Sequence, residues 1–565
     1  MDHIDKIFPK YRIRKIKLNP NGDKVVCLIE DKTTRVIRIF STSNKNSWNQ
    51  TVKESTPINN FELFGSNIIY EYKDKNGEVC VAAVNSKLDR RKIKINPGVR
   101  SVRFIAGNNA VIIECYYGDS KYVVYRVDSR SCEQIAEPTQ PVMSFFNDDL
   151  SSIKVVIKID DEGRLNVYVP RKKKTKKKNS RDFWGSSEDD EENSVSFDSD
   201  EVEEDTQNLS LVKCIDNPDQ ERPISVDSEG NVWWIRIDHG SSQSAFIVEK
   251  VSQDAQSITK VFSIHGVSAL DQVRVSINSR GYPIFATFNG NKYQHFVIDS
   301  MKNGNVRGHV NGINGHLNNW YLSNVSSNDR FWLICEPIDN APEKFYIYDT
   351  QSRMLKHFDQ TTGLSNNIDT RYIRQTSCQF IPIPGTKEKL QIFVTHGTFS
   401  GGNGLFSTDA PCVILLNSEE QYHRGYMPIA QLLANRGCNV VCLNYSKEIG
   451  HESLFGDSDS VDRFKSYITT AVNWCTRNKL AKHGNVVLLA KNHSCVPSFD
   501  IFAKNEKIFN CFIALSPDGN DINRIVNHDL SDQISKPVIF VFSDHVDDDE
   551  LHSVQRMGSD CSILS

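Results

Sequence analysis

The sequence predicts a two-part protein: an all-β N-terminal region read as a β-propeller, followed by an α/β region built on a mostly parallel sheet. Three observations predict it. From residue 11 to about 365, short apolar runs alternate with turn residues and helical periodicity is almost absent. After about residue 366, apolar runs of strand length alternate with helix-compatible segments. At 565 residues the chain also exceeds one ordinary core, so two to three domains are expected, divided here as 1–365 and 366–565.

In the first region, residues 24–29, 110–115 and 330–335 read as strands. One element recurs with similar punctuation at 122–129, 296–300 and 345–350, an apolar strand stopped by Asp and a hydroxyl residue at Asp128, Asp299 and Asp349. That pairing forms a side-chain-to-backbone turn. A second recurring element, a polar turn before a strand, stands at 19–23 and 227–231. Such units repeated over the whole region favour a propeller over a sandwich, which closes in far fewer residues. The repeats are too weak to number the blades. Residues 171–206 interrupt the region with a lysine-rich run followed by an acidic, serine-bearing run. Blocks of like charge bury too little apolar area to offset ordering entropy, so this insert is expected to be a disordered, solvated loop between two strands. A nucleic-acid or nuclear-localisation role for Lys172 to Lys178 is the rival reading, and no aromatic residues are interleaved with the lysines to support it.

In the second region, 390–394, 411–416 and 439–443 read as strands, with 426–436 a helix between the last two. The stretch 461–479 reads as a helix through Phe464, Ile468, Ala471, Val472 and Trp474, ahead of a strand at Val486. Two more strands are expected at 512–515 and 538–542.

The run from Val486 to Cys495 has the setting of a hydrolase nucleophile elbow: an apolar strand, a tight turn, then a helical segment containing Ser498, Phe499, Ile501 and Phe502. In G-x-S-x-G the strained serine projects from the sheet, and the glycines permit close backbone approach. Here the slots read Ala490, Lys491, Asn492, His493 and Ser494. The nucleophile slot therefore holds an amide, which no protein base deprotonates for attack.

The segment Ile429-Ala430-Gln431-Leu432-Leu433-Ala434-Asn435-Arg436-Gly437, with Val440 to Tyr445 after it, is similar to the "LANRGYAVLxxNYRG" segment of the prolyl oligopeptidase family of serine peptidases. Ala471-Val472-Asn473-Trp474 and the run from Leu480 to Asn492 lie without a gap on that family's "AVxWxxxxxxADPxRVAIMGGS". The resemblance spans about residues 375–557 and implies a β-propeller followed by a C-terminal α/β-hydrolase domain. It also implies a serine nucleophile, a histidine base, an orienting aspartate and an oxyanion hole. The serine slot falls on Asn492, the two following glycines on Ser494 and Cys495, and the "HGGP" segment on Asn417-Ser418-Glu419-Glu420. The acid slot lands on Val546, with Asp547 one residue away, and His552 lies too close behind to match the family's base. The domain is read as shortened, ending before the family's last strand and helix.

These departures predict a pseudo-peptidase that binds a peptide or protein segment in the cleft between its two domains. The alternative is an active serine-type peptidase or esterase with a displaced nucleophile such as Ser494, its base drawn from His396, His493 or His552. A formal charge of −4 and a hydrophobic fraction of 39% suit a globular chain, and no apolar stretch or leader pattern marks a membrane span or export. A cytosolic protein is expected. The 14 cysteines are scattered and read as reduced core residues, with no metal-ligand spacing; neither metal nor cofactor is expected.

Overall fold

The computed structural model describes residues 12–564 apart from 171–208, 359–371, 398–409, 445–457, 542–560 and shorter stretches of at most eight residues. Among the described residues, seven small antiparallel sheets come first, over residues 12–52, 58–93, 101–136, 143–215, 221–265, 273–297 and 321–357. Six have four strands and the sixth has three, and in every one the strands pair in chain order.

The first, second, fifth, sixth and seventh of these sheets pack against a neighbour on each face, which explains why their central strands read as unbroken apolar runs. On the strand Lys24–Glu30, Val26 and Leu28 pack against Phe61 and Tyr70 of the second sheet. The alternate residues Val25, Cys27 and Ile29 pack against Leu333 and Cys335 of the seventh. The same alternation joins the second sheet to the third, the fourth to the fifth, the fifth to the sixth, and the sixth to the seventh. The seam between first and last sheets is also stitched by polar groups. The Asn324 amide accepts from the Leu18 N–H at 3.1 Å and donates to the Leu18 carbonyl at 3.0 Å, doing the work of a strand neighbour.

The recurring aspartates form the expected turns. Asp128 accepts from the N–H groups of Arg130 and Ser131, both at 2.7 Å, and Asp349 accepts from Gln351 N–H at 3.0 Å. Asp299 and the charged insert lie outside the described residues. The strands flanking the insert, Leu165–Pro170 and Leu209–Ile215, pair with each other. One element departs from expectation: a helix, Val306–Asn314, follows the three-stranded sixth sheet. Its glycines and asparagines are poor helix formers, yet Val306, Val310 and Ile313 recur on one face and are buried beside Trp320 and Trp332.

The large sheet holds β1 (Thr376–Pro382), β2 (Lys389–Thr395), β3 (Cys412–Asn417), β4 (Asn439–Asn444), β5 (Val486–Lys491), β6 (Cys511–Leu515), β7 (Val538–Val541) and β8 (Cys561–Leu564). Their spatial order is β1-β2-β4-β3-β5-β6-β7-β8, with β2 antiparallel to both neighbours and all later pairs parallel. An eighth strand that the sequence reading did not expect, Cys561–Leu564, pairs with β7 through Val538↔Cys561 to Val541↔Leu564. Helices α2 (Ser458–Arg477) and α3 (Cys495–Lys504) cover one face, where Phe464, Ile468, Phe499 and Phe502 meet Ile414, Leu443 and Leu488. Helix α1 (Pro428–Asn435) covers the other, with Ala430 against Val413, Val440 and Cys442. No described helix is long and apolar enough to cross a membrane, and no disulfide joins the described cysteines.

Candidate functional site

In a parallel sheet the chain leaves every strand at one edge, and the loops there carry chemistry. The register aligns Asn417, Lys491, Leu515 and Val541 along that edge. Because β2 runs the other way, its first residues share the edge, and Gln391 pairs with Asn444.

Asn492 occupies the turn between β5 and α3 with φ 53°, a left-handed conformation. Most side chains resist that region, whereas asparagine tolerates it through local hydrogen bonding. The strand-to-helix turn thus carries its positive-φ residue as an amide, which cannot attack a carbonyl. Asn492→Ala is expected to lower stability by about 1–2 kcal/mol and Asn492→Gly by a few tenths, read from urea midpoints. Equal losses in both variants would show that the conformation imposes no constraint.

Ser494 is fully buried. Its hydroxyl accepts from Lys491 N–H at 3.2 Å and donates to the Lys491 carbonyl at 2.6 Å, with the Leu416 carbonyl 3.4 Å away. This buried group ties the turn to the sheet through backbone hydrogen bonds. Cys495 is equally buried, its thiol 3.3 Å from the Ala490 carbonyl. His396 directly follows β2, whose last residue Thr395 pairs with Val440 at the start of β4. It therefore lies level with Val486, at the opposite edge of the sheet from Asn492, roughly 20 Å away along the strands at about 3.3 Å per residue, and is not placed to act as base there. Burial lowers its pKa, so it is neutral at pH 7. The side chain of His493, Asp547, His552 and the segment 418–424 lie outside the described residues.

Part of the sixth small sheet reaches the start of β2. The Phe288 ring stacks on Phe380 of β1 with centroids 5.7 Å apart. Gln272 donates to the Lys389 carbonyl at 3.4 Å, and Asn291 accepts from Cys378 N–H at 3.4 Å. Gln391, only 1% exposed, donates to the Asn289 carbonyl and accepts from the Asn444 amide at 2.7 Å. Sequence reasoning missed this buried amide chain, since nothing local marks Gln391 or Asn444. Among the described residues the Asn444 side-chain oxygen Oδ1 is buried without a protein partner, as is the Tyr426 hydroxyl just ahead of α1. Among the described residues no cluster of His, Cys, Asp and Glu is placed to hold a metal.

Over nearly its whole length the chain superposes on solved peptidase structures. A structure from a study of two prolyl endopeptidases matches with a TM-score of 0.61 at 9% identity, over 100% of this chain and 86% of that one. The fold is that of the prolyl oligopeptidases. A puromycin-hydrolysing peptidase of Mycobacterium tuberculosis matches this prolyl oligopeptidase fold equally well, with a TM-score of 0.61 at 9% identity over 99% of this chain and 91% of that one. An acylaminoacyl peptidase of Pyrococcus horikoshii gives 0.52 at 10% identity, over 99% of this chain and 91% of the other. No protein-family model and no curated protein matches the sequence. What links the chain to the prolyl oligopeptidase fold is thus architecture.

Proposed function

We propose that this chain is a pseudo-peptidase of the prolyl oligopeptidase type, in which residues 1–365 form a propeller of seven blades and residues 366–565 a hydrolase domain without catalysis. It binds a peptide or protein segment between the two. The observation that carries the reading is Asn492, an amide in the left-handed turn where the fold places its nucleophile. Supporting it, the nearest hydroxyl and thiol, Ser494 and Cys495, are buried in backbone contacts. The succession of packed sheets, with the seventh against the first, supports the propeller.

The decisive experiment labels the purified full-length protein with a fluorophosphonate, which reacts with activated serines, and maps any adduct by mass. No adduct is expected on protein shown to be folded. An adduct on Ser494, or on any other single serine, that disappears on replacing that serine with alanine would make this an active hydrolase with a relocated nucleophile.

A further inference from the structure

We infer that the rim of the small sheets facing the large sheet selects an acidic segment, with Arg274 binding one of its carboxylates; this rests on the peptide-binding reading above and names the chemistry of the segment. The level of that rim follows from hydrogen bonds between the first strands of the fifth, sixth, seventh, first and second sheets, Glu221–Val226, Val273–Ile277, Tyr321–Val325, Arg12–Leu18 and Ile58–Phe64. The turns that follow the first four of these are joined in series. Ser228 N–H donates to the Arg280 carbonyl at 3.0 Å, Ser279 N–H to the Asp329 carboxylate at 2.7 Å, and Ser327 N–H to the Pro20 carbonyl at 2.8 Å. Lys15 Nζ donates to Asn60 at 2.8 Å and Lys17 Nζ to Glu62 at 2.7 Å, so the strand of the second sheet runs in step with that of the first. The five strands therefore end at one level and start together at the other. In the sixth sheet the starting level touches the large sheet, through Gln272, Phe288 and Asn289.

Arginine is concentrated at that level. Over the first three residues of the five strands stand Arg12, Arg14, Arg222 and Arg274, against the single acid Glu221, in a chain whose formal charge is −4. The charge of Glu221 is met by Lys213, and Glu30 beside Arg14 is shared with Arg35, so these acids leave the positive excess in place. Arg274 is the cation best placed to use it. It is exposed, and no carboxylate among the described residues bonds it. Its guanidinium carbon lies 4.5 Å from the Tyr321 ring centroid. That ring is held in turn, by Tyr293 edge-on at 5.6 Å and by its hydroxyl donating to Glu343 at 3.3 Å. A guanidinium laid on an aromatic face keeps its N–H edge open, and that edge matches the two oxygens of a carboxylate. Arg274 follows Gln272 by two residues, about 7 Å along the strand from the contact with Lys389, at the seam where a segment held between the two parts would pass. The surrounding arginines add an attraction for negative charge that a neutral segment does not feel.

The test uses the full chain and three fluorescein-labelled decapeptides in which alanine alternates with Glu, Gln or Lys, with binding read by fluorescence anisotropy. The Glu peptide is expected to bind about tenfold tighter than the Gln peptide, the gap closing as salt is raised. Arg274→Ala should weaken the Glu peptide about tenfold, the effect of one charged hydrogen bond lost, and leave the Gln peptide unchanged. Arg274→Lys should fall between, since it keeps the charge and loses the planar fork. Both variants should melt with the parent, because the side chain is exposed and holds no carboxylate of the chain. If no peptide binds, both readings fall. If the Gln or Lys peptide binds as tightly as the Glu peptide, the acidic preference is overturned while peptide binding stands. Unchanged Glu-peptide binding in Arg274→Ala removes Arg274 from the site. A single-stranded oligonucleotide that binds more tightly than the Glu peptide would make the rim a nucleic-acid surface and overturn the inference.

Discussion

Trp320→Ala is expected to lower the stability of the small-sheet region by about 3–5 kcal/mol, the range for deleting a fully buried large aromatic. Trp320 has no exposed surface. Its indole N–H donates to Asn314 at 2.8 Å, anchoring the end of the Val306–Asn314 helix, and its backbone carbonyl lies 2.8 Å from His295 Nε2. The His295 ring stacks on the indole at 3.8 Å, and Phe285 meets it edge-on at 5.8 Å. Alanine would leave a cavity joining helix, sixth sheet and seventh sheet, which cannot all collapse inward together. Urea unfolding followed by circular dichroism measures the loss. A change below about 1 kcal/mol would mean that this junction does not limit the stability of the region.

Gln391→Leu is expected to cost about 3 kcal/mol by a different route. Leucine nearly keeps the volume but strands the Asn289 carbonyl and the Asn444 NH₂, each a buried group worth about 1–3 kcal/mol when unbonded. The loss should fall on the coupling between the two parts, so limited proteolysis should cut the variant between them faster than the parent. Gln379→Leu on the neighbouring strand, at an exposed position, serves as the control and should stay within about 0.5 kcal/mol. Equal behaviour of the two variants would remove Gln391 from the joint.

How far these features were legible in the sequence depends on the range over which each is determined. Strand β5 and the turn after it could be read because Val486 to Ala490 is an apolar run whose punctuation is local. The doubly covered strands of the small sheets were legible for the same reason, and Asp128 and Asp349 marked turns within three residues. The Val306–Asn314 helix was missed because Gly308 and Gly312 obscure an apolar spacing that tertiary packing rescues. Strands β1 and β8 were missed too: each is short and polar in part and gains its place from a partner already in the sheet. At the site, Asn492 was legible as a lost nucleophile. The burial of Ser494 and the placement of His396 on the far edge depend on sheet register, and the Gln391–Asn444 bond joins residues 53 apart, so no motif could contain them.

Each small sheet is woven from one uninterrupted stretch of chain, and its neighbours touch it through side chains and a few turn hydrogen bonds, with Asn324 and the Ser327 N–H to Pro20 carbonyl bond where last meets first. In hereditary terms, the boundaries between sheets are places where recombination does little damage. A duplication, deletion or transplant spanning one whole sheet would sever no hydrogen-bonded ladder, and would need only two new apolar faces to match. The sheets are in that sense separately inheritable parts, able to drift in number and surface while the large sheet, whose strand order interleaves β3 and β4, must be inherited intact.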